Sequence, residues 1–141
     1  MSADKLRRAQ TITRWILIVF YGLAGIGHFV VIDAILKIVP DFVPYPRAVV
    51  FVTGACEIVG AMALMTNSLR RAAGIAFALY AVCVFPANIK HTVMALDVPG
   101  LPSSLWYHVP RLLAQPVIVW AALFCVDIVR WPLVSRDDAA R

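Results

Sequence analysis

At 141 residues the chain has the length of a single domain, yet 62% of its residues are hydrophobic, only 15% are charged, and the mean hydropathy is +0.82. Soluble domains rarely carry so few charges over so much apolar surface, so the composition points to an integral membrane protein. The net charge of +5 is not gathered on a basic helix interleaved with aromatics, and this excludes a nucleic-acid-binding face.

Four stretches with few or no charges follow in order, at residues 12–32, 48–66, 72–89 and 112–129. Each is near the ~20 residues that cross a bilayer core at 1.5 Å per residue. The pattern predicts an all-α membrane protein, with one domain over residues 1–141 forming a four-transmembrane-helix bundle with re-entrant or interfacial outer loops. Lys5, Arg7 and Arg8 precede the first stretch as they would in a signal peptide. Its apolar run exceeds a usual signal core and no convincing small-residue cleavage site follows, so it reads as a retained helix.

In a four-helix zigzag, nine cations (Lys5, Arg7, Arg8, Arg14, Arg70, Arg71, Arg130, Arg136 and Arg141) fall on one side and four (Lys37, Arg47, Lys90 and Arg111) on the other. The positive-inside bias then places both termini and the 67–71 turn in the cytoplasm, with the chain in a bacterial inner membrane. The basic residues serve topology and contact with membrane lipids.

The two outer connections are the longer ones. The first, DAILKIVPDFVPYPR at residues 33–47, has three prolines among apolar residues, which forbids a continuous helix and predicts a segment folded back onto the membrane surface. The second, around LDVPGLPSSLWYHVP, brings Trp106 and Tyr107, residue types suited to the headgroup layer. Together they are expected to cap the outer end of the bundle.

Polar residues collect at that end. His28 falls about one turn below the outer end of the first span, Glu57 near the middle of the second, Asn88 near the outer end of the third, and Arg111 and Gln115 at the start of the fourth. Helical spacing puts Tyr21, Gly25 and His28 on one face, and Gly54, Glu57 and Ala61 on another, with small residues allowing close helix approach. A carboxylate in mid-membrane is costly unless it is neutral, paired or reached by water, so Glu57 is the most informative residue, with His28 and Arg111 as candidate partners. It reads either as a functional acid or as an interhelical hydrogen bond. His28 has the same two readings. Lys90 and His91, in FPANIKHT at 85–92, read as surface residues, with Lys90 snorkelling to the headgroups.

Cys56, Cys83 and Cys125 lie within apolar stretches without a C-x-x-C pair and read as packing residues. His28, His91 and His108 have no i, i+4 pairing and no carboxylate cluster, so no metal or haem site is expected. Walker, dinucleotide-binding and G-x-S-x-G motifs are absent, leaving no self-contained catalytic motif.

GIGHF at 25–29, VPDFVPYP at 39–46, TGACEIVGAMAL at 53–64, LRRAAG at 69–74, FPANI at 85–89 and RLLAQPVIVWA at 111–121 together resemble the DoxX family of small four-helix bacterial membrane proteins. The resemblance runs in order over about residues 12–128. It implies a quinone-linked or otherwise redox-associated membrane protein, with His28, Glu57, Asn88, Arg111 and Gln115 at the family's recurring polar positions. Lys90 and His91 depart from the pattern, where smaller or aromatic residues are more usual.

Under that implication Glu57 and His28 exchange protons with a quinone or other lipophilic ligand, while Asn88, Arg111, Gln115 and Tyr21 hold it. No covalent cofactor is expected; a membrane-protein partner or a homo-oligomer is, since a quinone brings no electron donor. Two other functions stay open. One is a non-catalytic assembly factor that binds client transmembrane helices, and the other is a small proton-coupled transporter.

Overall fold

A computed structural model describes residues 3–94 and 104–132. Among them every regular element is an α-helix: α1 (Ala3–Val30), α2 (Ile32–Leu36), α3 (Pro46–Met65), α4 (Arg70–Val93) and α5 (Leu105–Phe124). α1, α3 and α4 are each long and apolar enough to cross a membrane. α5 matches α3 in length at 20 residues, but His108, Arg111, Gln115 and two prolines dilute its apolar character, so three helices rather than the expected four qualify on length and composition.

Helix limits differ from the expected spans for local reasons. α1 begins at Ala3 because ADKLRRAQ is rich in strong helix formers that carry the helix beyond its apolar part. α4 runs through Pro86 to Val93, so the polar run after residue 89 is helix, not its fraying end. α5 starts well before residue 112 and stops at Phe124. Asp127 adopts a left-handed conformation (φ 63°). The Ile128 amide then donates to the Leu123 carbonyl at 3.0 Å and the Asp127 amide to Phe124 at 3.1 Å, closing the helix with a Schellman pattern.

The long helices form a ring. α1 packs chiefly on α3 and α4 chiefly on α5, while α3–α4 and α1–α5 contacts close it. Glycines set the two tight pairs. A Cβ on Gly25 would stand 2.8 Å from the Gly54 carbonyl oxygen, and one on Gly54 would stand 2.6 Å from His28 Cβ. In the other pair a Cβ on Gly74 would stand 2.7 Å from the Ala122 carbonyl oxygen and 2.6 Å from Val126. Such small-residue contacts let backbones approach where hydrophobicity alone gives helices no reason to associate.

At the end bearing the Thr66–Leu69 turn, the turn end, the ring is filled. Leu17, Tyr21, Leu64, Phe77, Ala122 and Cys125 belong to one buried cluster there. Tyr21 and Phe77 stack with centroids 3.8 Å apart and planes 2° from parallel, joining the two pairs across the axis. The opposite end, the cap end, is hollow. Ile35, Ile38, Val39, Pro40, Phe42 and Val43, from α2 and the turns after it, line the hollow and form a lid. Of the second connection, residues 95–103 lie outside the described ones, while Trp106 and Tyr107 belong to the first turn of α5, with Trp106 exposed.

Lys90 and His91 correct the surface reading. The Lys90 side chain is 16% exposed, and its Nζ donates to the Val39 carbonyl at 2.7 Å and to Asp41 Oδ1 at 2.8 Å, fastening the lid to α4. His91 is buried, its ring 4.7 Å from that of buried His108 and nearly perpendicular to it. Because α4 continues past Pro86, residue 91 turns toward α5. Cys56 and Cys83 are also corrected: both are exposed, Cys83 at the cavity, and only Cys125 is buried.

Candidate functional site

The hollow at the cap end is a cavity of about 440 Å³. That lies within the roughly 300–1,000 Å³ of small-molecule sites. Its wall is mostly apolar, and Tyr21, His28, Glu57, Asn88, Arg111 and Gln115 all line it. Six residues from four helices, separated by as many as 94 positions between Tyr21 and Gln115, thus reach one space.

Glu57 is 4% exposed and lies across the α1–α3 contact from His28, whose Nδ1 stands 3.1 Å from Glu57 Oε2. The same Nδ1 is 2.9 Å from the Ala24 carbonyl oxygen one turn back on α1. The hydrogen bond of that nitrogen is to Ala24, and Glu57 Oε2, although at ion-pairing distance from it, is buried without a hydrogen-bond partner among the described residues, beside an apolar cavity. The Gly25–Gly54 approach is what brings the two chains this close: it lies one turn from both side chains, and a larger residue at either glycine would push α1 off α3.

α5 supplies the opposite wall. Gln115 Nε2 donates to the Ala81 carbonyl at 2.8 Å, committing one of its two amide hydrogens to holding α5 against α4. One turn toward the cap, Arg111 Nη2 reaches the Asn88 carbonyl at 3.4 Å, and its guanidinium lies 5.6 Å from the Tyr107 ring centroid. The Asn88 carbonyl also accepts from the Thr92 hydroxyl at 2.8 Å, while the Asn88 carboxamide bonds to no other described residue. Tyr21 closes the floor, where its ring is held by Phe77.

Two lining residues escaped the sequence reading. Thr53 stands one turn before Glu57 on α3, and its hydroxyl donates to the Val50 carbonyl at 2.9 Å. Tyr80 on α4 lines the same cavity. A signal for Tyr80 was available, because Tyr80, Val84 and Asn88 recur at i, i+4 and i+8 and so share one stripe of α4.

Among the described residues no three His, Cys, Asp or Glu side chains converge as a metal-ligand group. No curated protein and no solved structure matches the chain. Residues 17–125 match a family described as a domain of unknown function, DUF8561, a stretch that takes in every cavity-lining side chain described above. The chain belongs to that DUF8561 family.

Proposed function

We propose that this membrane protein binds a lipophilic ligand, a quinone foremost, with the polar head in the cap-end cavity. In this reading α5 is a fourth span, the termini are cytoplasmic, the membrane is the bacterial inner membrane, and the protein serves a redox-associated complex whose partner supplies electrons. The observation that carries the proposal is one apolar cavity with its charged groups confined to two facing walls, Glu57–His28 and Arg111. A quinone takes up two protons with two electrons, and a carboxyl and an imidazole 3.1 Å apart, with one carboxyl oxygen free of hydrogen bonds, are suitable exchange groups at its rim. The resemblance of the sequence motifs to the DoxX family supports the same direction. The lid, whose inner face is Ile, Val, Pro and Phe, suits an apolar body or tail.

The assembly-factor reading draws less support, because Gly25 and Gly54, available in principle to client helices, are consumed by the α1–α3 contact. Mass spectrometry of lipid extracts from purified protein and from Glu57→Gln separates the two. Quinone enriched with the wild type and lost from the variant is the expected result. Equal lipid content in both, accompanied by loss of a co-purifying membrane protein from the variant, would instead identify an assembly role.

A further inference from the structure

Resting on the ligand-binding reading above, we infer that the Arg111 end of the cavity is a subsite for an ionised oxygen, so the preferred ligand is a lipophile with an acidic head. The argument starts from which charges at the cap end are answered. Glu57 has His28 at 3.1 Å, and Lys90 has Asp41 at 2.8 Å together with the Val39 carbonyl. Asp33 has Arg47 at 3.5 Å on the exposed side of the lid. Arg111 has no carboxylate within ion-pairing distance among the described residues. It makes one long bond to a carbonyl and lies against one aromatic ring, and its Nε is buried with no hydrogen-bond partner.

A guanidinium cannot shed its charge as a lysine or histidine can, so burying part of it unpaired is a standing cost that an anion in the cavity would relieve. Its donors lie in a planar fork that suits two oxygens of a carboxylate, or one ionised ring oxygen, better than a neutral carbonyl. The neighbouring Asn88 carboxamide, with no bond to another described residue, adds a donor at the same end. Glu57 does not oppose such a head. It stands on α3, diagonal to α5 in the ring, and it faces His28 at 3.1 Å.

The chemistry named is an anionic oxygen on an apolar body, which either a fatty carboxylate or an ionised hydroxyquinone provides. The test uses the purified full chain in a neutral detergent and two matched pairs of probes. Hexadecanoate is compared with hexadecan-1-ol, and a 2-hydroxy-3-alkyl-1,4-naphthoquinone with its 2-methyl counterpart. At a pH where the acids are ionised, the acidic member of at least one pair is expected to bind about tenfold tighter. A preference in the alkyl pair alone assigns a fatty carboxylate, and one in the ring pair alone assigns an ionised quinone. Arg111→Gln is expected to bring each favoured acid down to its neutral partner while moving the neutral probe less than about twofold, and Arg111→Lys to restore part of the gap. If Arg111→Gln does not fold, the wild type still decides, since the preference must vanish below the acid probe's own pKa. Equal affinities within both pairs, or a preference that persists in Arg111→Gln, overturns the inference. If neutral naphthoquinone binds and is lost in Glu57→Gln with no acid preference, only this inference falls. If no probe binds, the ligand-binding reading falls with it.

Discussion

The two ends of the bundle are built from the same helices by opposite means. At the turn end Leu17, Tyr21, Leu64 and Phe77 fill the space between the pairs, and no charged side chain belongs to the buried cluster. At the cap end the space stays open although the pairs remain tight, with Gly25 on Gly54 and Gln115 on the Ala81 carbonyl. The hollow is thus not a symptom of loose packing along α1–α3 or α4–α5. It lies between two well-joined pairs, and Tyr21, His28, Glu57, Asn88, Arg111 and Gln115 all line it. Under the proposed function, stability and binding would therefore be separable by position along the helices.

That separation can be broken most forcefully at Gly74. Gly74→Leu drives a side chain into the Ala122 backbone and Val126, and we expect it to cost about 3 kcal/mol, read as a lowered thermal midpoint in detergent. An unchanged midpoint would show that the α4–α5 contact does not hold the turn end. Lys90→Met should leave that midpoint nearly intact and act on the lid instead. Losing two charge-assisted bonds should raise the dissociation rate of a bound lipophile about tenfold, a change that stopped-flow displacement resolves. If the rate does not change, the lid is held by its apolar contacts alone. Tyr80→Phe removes one hydroxyl from the cavity wall and should weaken binding about fivefold without altering the midpoint.

The smallest effect belongs to the turn end beyond α5. Arg130 donates hydrogen bonds at 2.7 and 2.8 Å to Asp127 and, partly offset by burial, holds that carboxyl below the usual carboxylate range, with Gln10 adding a third bond. A lowered folded-state pKa means stability that is present at neutral pH and is lost as pH falls below about 4 through the folded value. The residues are near half exposed, so the loss is modest. Arg130→Ala should diminish this acid-side loss in a pH series of melting midpoints, and an identical series in both proteins would contradict it.

The site was legible where polarity is anomalous and obscure where it is ordinary. Glu57, His28, Asn88, Arg111 and Gln115 stand out because a membrane run seldom carries such residues without cause. Thr53 and Tyr80 do not stand out, since hydroxyl-bearing residues are common in membrane helices. Lys90 and His91 were misplaced because Pro86 and a burst of polar residues resemble a helix end. Only the three-dimensional course of α4 reveals that another turn follows and that Lys90 meets a loop 49 positions earlier. The lid itself could be located but not oriented, because three prolines forbid one helix without selecting among the remaining paths. The limits of α5 were hidden in the same way, with Pro110 and Arg111 masking its start and a left-handed Asp127 setting its stop.

In the Tyr21–Phe77 stack, which joins the two helix pairs, the Tyr21 ring lines the cavity and is the surface on which a guest's head would come to rest, with Phe77 behind it. The two rings lie parallel at 3.8 Å, with little slack to yield. Under the proposed ligand-binding function the stack would act as a depth gauge: the distance from the Tyr21 ring to the lid would decide how long a head is admitted, and the chemistry at Glu57 and Arg111 would sort those that fit. Trimming Phe77 would let longer heads in without touching a single polar contact, so size and charge discrimination rest on different residues and can be altered one at a time.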